Sequence, residues 1–340
     1  MNKVRVCIIG AGRMGHRYIE IVKILGLDLV GVIDSSPESL AKIQNEFDLD
    51  QNILFQVPDH LYKSKIVDCV IVATTADSHC QLVIDAAGAG VSYILVEKPM
   101  AVSLGECKLM IDVCEKNNVR LSVNHQMRFL EQYILPKTML ATAEFGGLKS
   151  MTVLAGNFGL AMNGLHYIEA FRFLSEDRPA SISAWFSEGK VPNPRGPQFE
   201  DKAGCIRLVT KNGIRLYIDA SIDQGNGVVV TYVARNGVIQ VNELNGSLTC
   251  FARTVEHRDE PTVRYGLPSN HQSMDIPAVE LIDSTAKVLN ALISGVDYVS
   301  AQDGMSAIEV LEAAYRSSEL SGATLSLRDE KNLSRKFAWA

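Results

Sequence analysis

Short, nearly unbroken apolar runs punctuate the first third of the chain: Val4–Gly10, Leu27–Asp34, Ile53–Gln56, Val67–Thr74, Tyr93–Glu97 and Arg120–Val123. Runs of Val, Ile and Leu with few polar interruptions mark strands buried on both faces, as in a parallel sheet. The segments between them carry helix start signals. Ser36-Pro37 supplies a cap and an N1 proline ahead of Glu38, and Ser103-Leu104-Gly105-Glu106 is a capping box opening a helix toward Asn117. Strand and helix alternating in this way predict right-handed crossovers and a doubly wound α/β sheet over residues 1–123.

From about Leu148 the rhythm changes. Lys149–Asn157, Ala180–Glu188, Ala203–Thr210, Ile214–Ile222, Val228–Ala234, Val238–Leu244 and Ser247–Arg253 read as strands. Asn212-Gly213, Asn236-Gly237 and Asn245-Gly246 separate neighbouring strands, and Asn-Gly is the strongest short hairpin signal. Residues 124–340 are therefore expected to form a mainly antiparallel open-sheet α+β domain, closed by two helices at roughly Met274–Ser294 and Asp303–Gly322. Pro192-Asn193-Pro194-Arg195-Gly196-Pro197 cannot occupy a central strand and reads as a loop.

Composition narrows the field. With 47% apolar and 21% charged residues over 340 positions, the chain has ordinary globular material for two domains. Its net charge of −6 argues against a nucleic-acid or anionic-membrane partner, which would need a basic face, while leaving room for a locally basic phosphate pocket. Seven cysteines form no CxxC pair and no Cys/His zinc spacing, and most lie in apolar runs, which points to a reducing cytoplasm. The acidic residues and histidines show no ligand spacing, so no metal is expected. The opening Met1-Asn2-Lys3-Val4-Arg5 shows no signal-peptide core, and no apolar run approaches the roughly 20 residues a membrane helix needs.

Gly10-Ala11-Gly12-Arg13-Met14-Gly15 follows the first strand directly and opens a helix-compatible stretch. In that context GxGxxG is the dinucleotide fingerprint of a Rossmann domain. Gly10 permits the tight turn, and Gly12, Arg13 and Met14 bring backbone to the pyrophosphate. Gly15 lets the helix close on the strand. Asp34 ends the second strand, where a carboxylate binds the adenosine ribose and repels a 2′-phosphate. Ser35-Ser36-Pro37 offers no arginine for such a phosphate, so NAD is favoured over NADP. The competing readings are a glycine turn without ligand and a surface aspartate. Ala73-Thr74-Thr75 and Glu97-Lys98-Pro99 end the fourth and fifth strands, at the sheet edge that borders the ligand crevice. Thr74 and Thr75 either line the nicotinamide side or cap a helix, and His79 either contacts the cofactor or caps.

Glu97-Lys98-Pro99 after such a domain resembles the signature of the glucose–fructose oxidoreductase/inositol dehydrogenase (Gfo/Idh/MocA) family. Asn163-Gly164-Leu165-His166-Tyr167-Ile168-Glu169 resembles the family helix that bears a catalytic histidine. Asp303-Gly304-Met305 through Ser321-Gly322 resembles its C-terminal helix pattern. The resemblance implies an NAD-dependent oxidoreductase acting on a sugar-type hydroxyl. Lys98 would be the acid/base, and His166 would hydrogen-bond the same oxygen or relay its proton. Glu97, Lys98 and Gln126 would help place nicotinamide, with Arg128 and Asn163 on the substrate side.

One position departs from the pattern. Inositol-type members carry an aspartate four residues before the histidine, and here that position is Met162. The change weighs against a simple polyol and toward a phosphorylated or nucleotide-linked sugar, whose diphosphate Lys190 and Arg195 would meet. Inositol or a free sugar remains an alternative, as does a non-catalytic NAD-binding regulator, which would be expected to lose Lys98. His125 is open between core and cleft, and Glu169 with Arg172, spaced i, i+3, reads as an intrahelical ion pair. Apolar alternation at Val228–Val233 predicts a covered sheet face, hence a homodimer or homotetramer through the C-terminal sheet.

Overall fold

The computed structural model describes residues 3–58, 62, 66–193, 195–263, 266–328 and 331–339, without the side chain of Lys190. They form two compact units. The first holds residues 1–126, 280–308 and 332–340, the second 127–279 and 309–331. Where the sequence suggests one boundary after residue 123, the chain passes between units repeatedly.

All six apolar runs of the first third become strands: β1 (Arg5–Ile9), β2 (Asp28–Ile33), β3 (Leu54–Phe55), β4 (Cys69–Val72), β5 (Tyr93–Val96) and β6 (Arg120–Val123). Every pair is parallel, in the order β3-β2-β1-β4-β5-β6. Val6, Cys7, Ile8, Val70, Ile71, Ile94 and Leu95 are fully buried, as continuous apolar strands covered on both faces must be. The crossovers are α1 (Arg13–Ile24), α2 (Pro37–Phe47), α3 (Ala76–Gly88) and α4 (Leu104–Lys116). Ser36 caps α2 by accepting the Ser39 N–H at 3.1 Å. Only half of the expected capping box forms on α4. Ser103 Oγ accepts the Glu106 N–H at 3.2 Å, while the Glu106 carboxylate pairs with Lys336 at 2.6 Å.

Two later segments complete this unit. The helix Leu281–Ser294 packs on α1 and β5. Residues 332–339 lie along the chain after Pro99, where the Gly105 N–H donates to the Leu333 carbonyl and the Phe337 N–H to that of Val102, both at 2.9 Å. Phe337 stacks on Trp339 with ring centroids 4.3 Å apart, and Trp339 is 1% exposed.

The second unit is a nine-stranded sheet of β7 (Leu148–Gly156), β8 (Pro179–Lys190), β9 (Lys202–Thr210), β10 (Arg215–Ser221), β11 (Val229–Ala234), β12 (Gly237–Asn242), β13 (Ser247–Arg253), β14 (Ser269–Asp275) and β15 (Leu325–Ser326). Their order is β14-β13-β12-β11-β7-β10-β9-β8-β15, antiparallel except for the central β7–β10 pair. The three Asn-Gly pairs do join β9–β10, β11–β12 and β12–β13. Alternation sets the faces: Met151, Val153, Leu216, Ile218, Val230, Tyr232, Ile239 and Val241 point inward and are buried. Helices α5 (Glu131–Leu140) and α6 (Leu165–Ser175) belong to this unit.

The expected helix Met274–Ser294 is corrected. Its first residues are edge strand β14, where Met274 pairs with Leu248 of β13, and the helix starts only at Leu281. Pro277 explains the delay, since proline disfavours helix at the residue before it and donates no N–H. β14 escapes a search for alternation because Met274 is its only apolar residue and most of it is exposed, as an edge strand paired on one side allows. The proline-rich segment is a loop as expected, although Pro194 and the Lys190 side chain lie outside the described residues.

Since Trp339 is enclosed, Trp339→Ala should destabilise the chain by about 3–5 kcal/mol. Urea unfolding checks this, and an unshifted midpoint would show the terminal segment to be dispensable.

Candidate functional site

Each unit contributes its own cluster. In the first, the turn after β1 needs glycine twice. Gly10 has φ 105°, and a Cβ there would lie 2.7 Å from the Ala73 carbonyl oxygen; one on Gly15 would lie 2.1 Å from that of Gly10. At Gly12 a Cβ would meet nothing within 4 Å, so the loop's outer side is open. Gly12 is the N-cap of α1, a helix with no acidic residue in its first turn. Its N-terminal amides and positive dipole end suit pyrophosphate. Arg13 is exposed and Met14 half-buried at this edge.

Asp34 accepts the Ala11 N–H at 2.7 Å on one oxygen and the Ser36 N–H at 2.9 Å on the other. The carboxylate is thereby tied to the glycine turn, with a lone pair left on each oxygen for ribose hydroxyls. A cavity of about 330 Å³ lined by Ala11, Gly12, Arg13, His16, Ser39 and Lys42 lies along the same edge.

At the end of β4, Ala73, Thr74 and Thr75 are half-buried, and the Thr74 hydroxyl lies 2.7 Å from that of Ser78. The turn after β5 is held from several sides. Glu97, 3% exposed, accepts the Tyr18 hydroxyl at 2.6 Å and the Asn124 amide at 2.8 Å. Its second oxygen accepts the Lys98 N–H at 3.3 Å. Burial, reinforced by the Glu97 charge, pushes the Tyr18 phenol far above its usual value, so Tyr18 stays a donor. The Lys98–Pro99 peptide is cis, and Lys98 is half-buried.

His79, expected either to contact the cofactor or to cap, is wholly enclosed. Its Nδ1 lies 3.0 Å from the Pro99 carbonyl oxygen and 3.3 Å from that of Met100, and its Nε2 lies 3.2 Å from that of Thr74. Burial lowers its pKa and favours a neutral ring. The imidazole therefore braces the ends of β4 and β5 against each other, while Thr75 is the N-cap of α3. His125 is 1% exposed and belongs to the core.

In the second unit, α6 carries His166, Tyr167, Glu169 and Arg172. Arg128, expected on the substrate side, pairs with Glu169, whose side chain has no exposure, and Arg172 meets the same oxygen at 3.0 Å. The predicted intrahelical pair thus exists within a three-residue ion cluster. Tyr167 donates to Glu243 at 2.7 Å, and Tyr133 of α5 donates to the other oxygen of that carboxylate. Before α6 the chain makes one π-helical turn, Leu160–Gly164, in which Met162 is half-buried and Asn163 exposed. Gln126 is half-buried in the 3₁₀ turn Gln126–Phe129. Sequence reasoning misses Tyr18, Asn124, Tyr133 and Glu243, because each acts over a long sequence separation and belongs to no motif. Among the described residues no cluster of His, Cys, Asp or Glu fits a metal ion, and no helix is long and apolar enough to cross a membrane.

Residues 4–125 match the GFO_IDH_MocA model, the oxidoreductase family with an NAD-binding Rossmann fold. The chain is 33% identical over 147 residues to 2,7-anhydro-N-acetylneuraminate hydratase of Mediterraneibacter gnavus, covering 43% of this chain and 38% of the hydratase. It is 25% identical over 258 residues to inositol 2-dehydrogenase of Serratia proteamaculans, covering 71% and 74%. In its matches of higher identity the chain spans only 19% and 38% of the relatives' length. An oxidoreductase from Agrobacterium radiobacter, solved with NAD+, L-tartaric acid and magnesium, shares the fold at TM-score 0.80 and 20% identity, over 96% of this chain and 99% of that one.

Two measurements check this geometry. Tyr18→Phe should cost about 1.5–3 kcal/mol, the worth of a hydrogen bond to a buried charge, and unchanged stability would contradict the Glu97 brace. Burial raises the Glu243 carboxyl above its ordinary range, so the native chain keeps that proton to higher pH than the unfolded chain does. Above about pH 4.5 the unfolded state binds fewer protons, and stability falls as pH rises toward the raised value. Glu243→Gln should flatten that slope in urea unfolding between about pH 4 and 7; identical slopes would refute it.

Proposed function

We propose, given that this chain belongs to the Gfo/Idh/MocA family of NAD-binding Rossmann oxidoreductases, that it is an NAD-dependent dehydrogenase of a sugar-type secondary hydroxyl. One observation carries the reading. Lys98 stands at the carboxyl end of β5, on a turn braced by Glu97 and His79, in the unit that holds the glycine loop. Side chains at that end of a doubly wound sheet face the ligand crevice.

The residues fit the cofactor. Gly12 leaves room for pyrophosphate, the N-terminus of α1 faces it, and Asp34 presents acceptors to ribose. Ala73, Thr74 and Thr75 border the nicotinamide end, with Gln126 beside them in role. NAD, when bound, supplies the hydride acceptor or donor. Lys98 takes the hydroxyl proton onto its Nζ during oxidation and returns it during reduction. His166 is a second hydrogen-bonding group for substrate, and Asn163 is a substrate-side contact. Arg128 acts through Glu169 rather than directly.

For the substrate we favour a phosphorylated or nucleotide-linked sugar, because Met162 offers no carboxylate to a polyol. The match to an inositol dehydrogenase over 71% of this chain supports a second reading, a free polyol or sugar. The protein acts as a homodimer or homotetramer through the open face of the nine-stranded sheet. There Leu154, Trp185 and Phe251 are 41%, 51% and 41% exposed, and a groove of about 460 Å³ runs past Phe251 and His271.

NAD+ reduction across a panel of sugars, inositols, sugar phosphates and sugar nucleotides tests the substrate class. With the best of these, Lys98→Met should lower kcat by about 10²–10⁴-fold while leaving NAD+ binding intact. Undiminished turnover removes Lys98 from the chemistry, and tight NAD+ binding with silence across the panel favours a regulator.

A further inference from the structure

The turn that presents His166 is held by a carboxylate distant in sequence. Leu160–Gly164 is π-helical, with the Gly164 N–H donating to the Gly159 carbonyl at 3.0 Å. Such turns are rare in isolation because their hydrogen-bond geometry is poor, and they persist where the surroundings over-determine them. Here the surroundings are Asp201, 2% exposed, at the end of the loop that follows β8. One of its oxygens accepts the Ala161 N–H at 2.7 Å and the Lys202 N–H at 2.9 Å, and the other accepts the Met162 N–H at 2.9 Å. The Ala161 and Met162 amides are main-chain donors at the start of a helical segment, which a buried carboxylate satisfies and whose dipole it complements.

Gly159 keeps the space clear: a Cβ there would lie 2.0 Å from Asp201 Oδ2. Downstream, α6 is fixed by Tyr167 on Glu243 and by Glu169 between Arg128 and Arg172. His166, 8% exposed, therefore sits between two anchors, with Asp201 as the upstream one. Converting the π turn to an α turn changes residues per turn, so it rotates everything ahead of α6 relative to the helix.

We infer that Asp201 is a positioning residue for His166, locking the π turn and thereby the imidazole's orientation and the presentation of Met162 and Asn163. This rests on the proposed catalytic role of His166. It also assigns the loop after β8 a part in the reaction through Asp201, independent of any substrate contact from its basic residues.

The test uses the full chain labelled with [¹⁵N]histidine, the His166 ring signals being assigned from His166→Gln. Asp201→Asn, which replaces one acceptor by a donor facing an N–H, should shift or split those signals and leave the other histidines in place. Gly159→Ala, which pushes the carboxylate away, should reproduce the change if the first variant folds poorly. In kinetics with myo-inositol and glucose 6-phosphate, on whichever is turned over, Asp201→Asn should lower kcat about 100-fold with KM for NAD+ unchanged. Added to His166→Gln it should cause no further loss. His166 signals unmoved in both variants, or losses that multiply in the double variant, overturn the inference. If His166→Gln turns over normally, the catalytic reading of His166 fails and the kinetic consequence with it, whereas the NMR shift still decides whether Asp201 positions the ring.

Discussion

Glu97 is a carboxylate placed where few are found, buried at the carboxyl end of a parallel strand. An ionised group there must be given hydrogen bonds or be driven out, because burial without partners costs several kcal/mol. Tyr18 from α1 and Asn124 from the end of β6 supply two donors, and the Lys98 amide supplies a third. Three separate elements are thus tied to one side chain. His79 adds a fourth by bridging carbonyls from β4 and from the turn after β5. The position of Lys98 follows from these obligations more than from any contact of its own stem.

The second unit repeats the device with different acids. Asp201 gathers main-chain amides, Glu169 lies between two guanidinium groups, and Glu243 takes two phenols. Each carboxylate restrains a different part of the segment 160–172. Neutralising any one would leave donors facing each other in a dry interior, so the cost of error is high at each. That cost restricts the ways this segment can relax.

Legibility in the sequence tracks how local the cause is. The six parallel strands, the glycine turn and the Asn-Gly hairpins are decided within a few residues, and the structure has them where the pattern puts them. Edge strand β14 was hidden because a mostly exposed strand, paired on one side only, needs no apolar face, and Pro277 delays the helix expected there. His79 and Arg128 are the reverse case, lying in recognisable motifs while their partners, backbone carbonyls and Glu169, emerge only from the fold. A motif names a residue near the site, while only the fold reveals whether it faces a ligand or a neighbour. Asp201 and Glu243 had no signal at all, because the groups they serve are 39 to 110 residues away. The parallel pairing of β7 with β10 is equally non-local and reverses nothing in the alternation that marks both strands.

The chain has two tryptophans, and the units share them evenly. Trp339 is enclosed beneath the stacked Phe337 in the nucleotide unit, whereas Trp185 is half-exposed on the open face of the nine-stranded sheet. Their emission should differ accordingly, blue-shifted from the first and solvent-sensitive from the second. Each unit therefore carries a native optical label, and a single fluorescence spectrum can follow cofactor-domain melting and sheet-face occlusion as separate events.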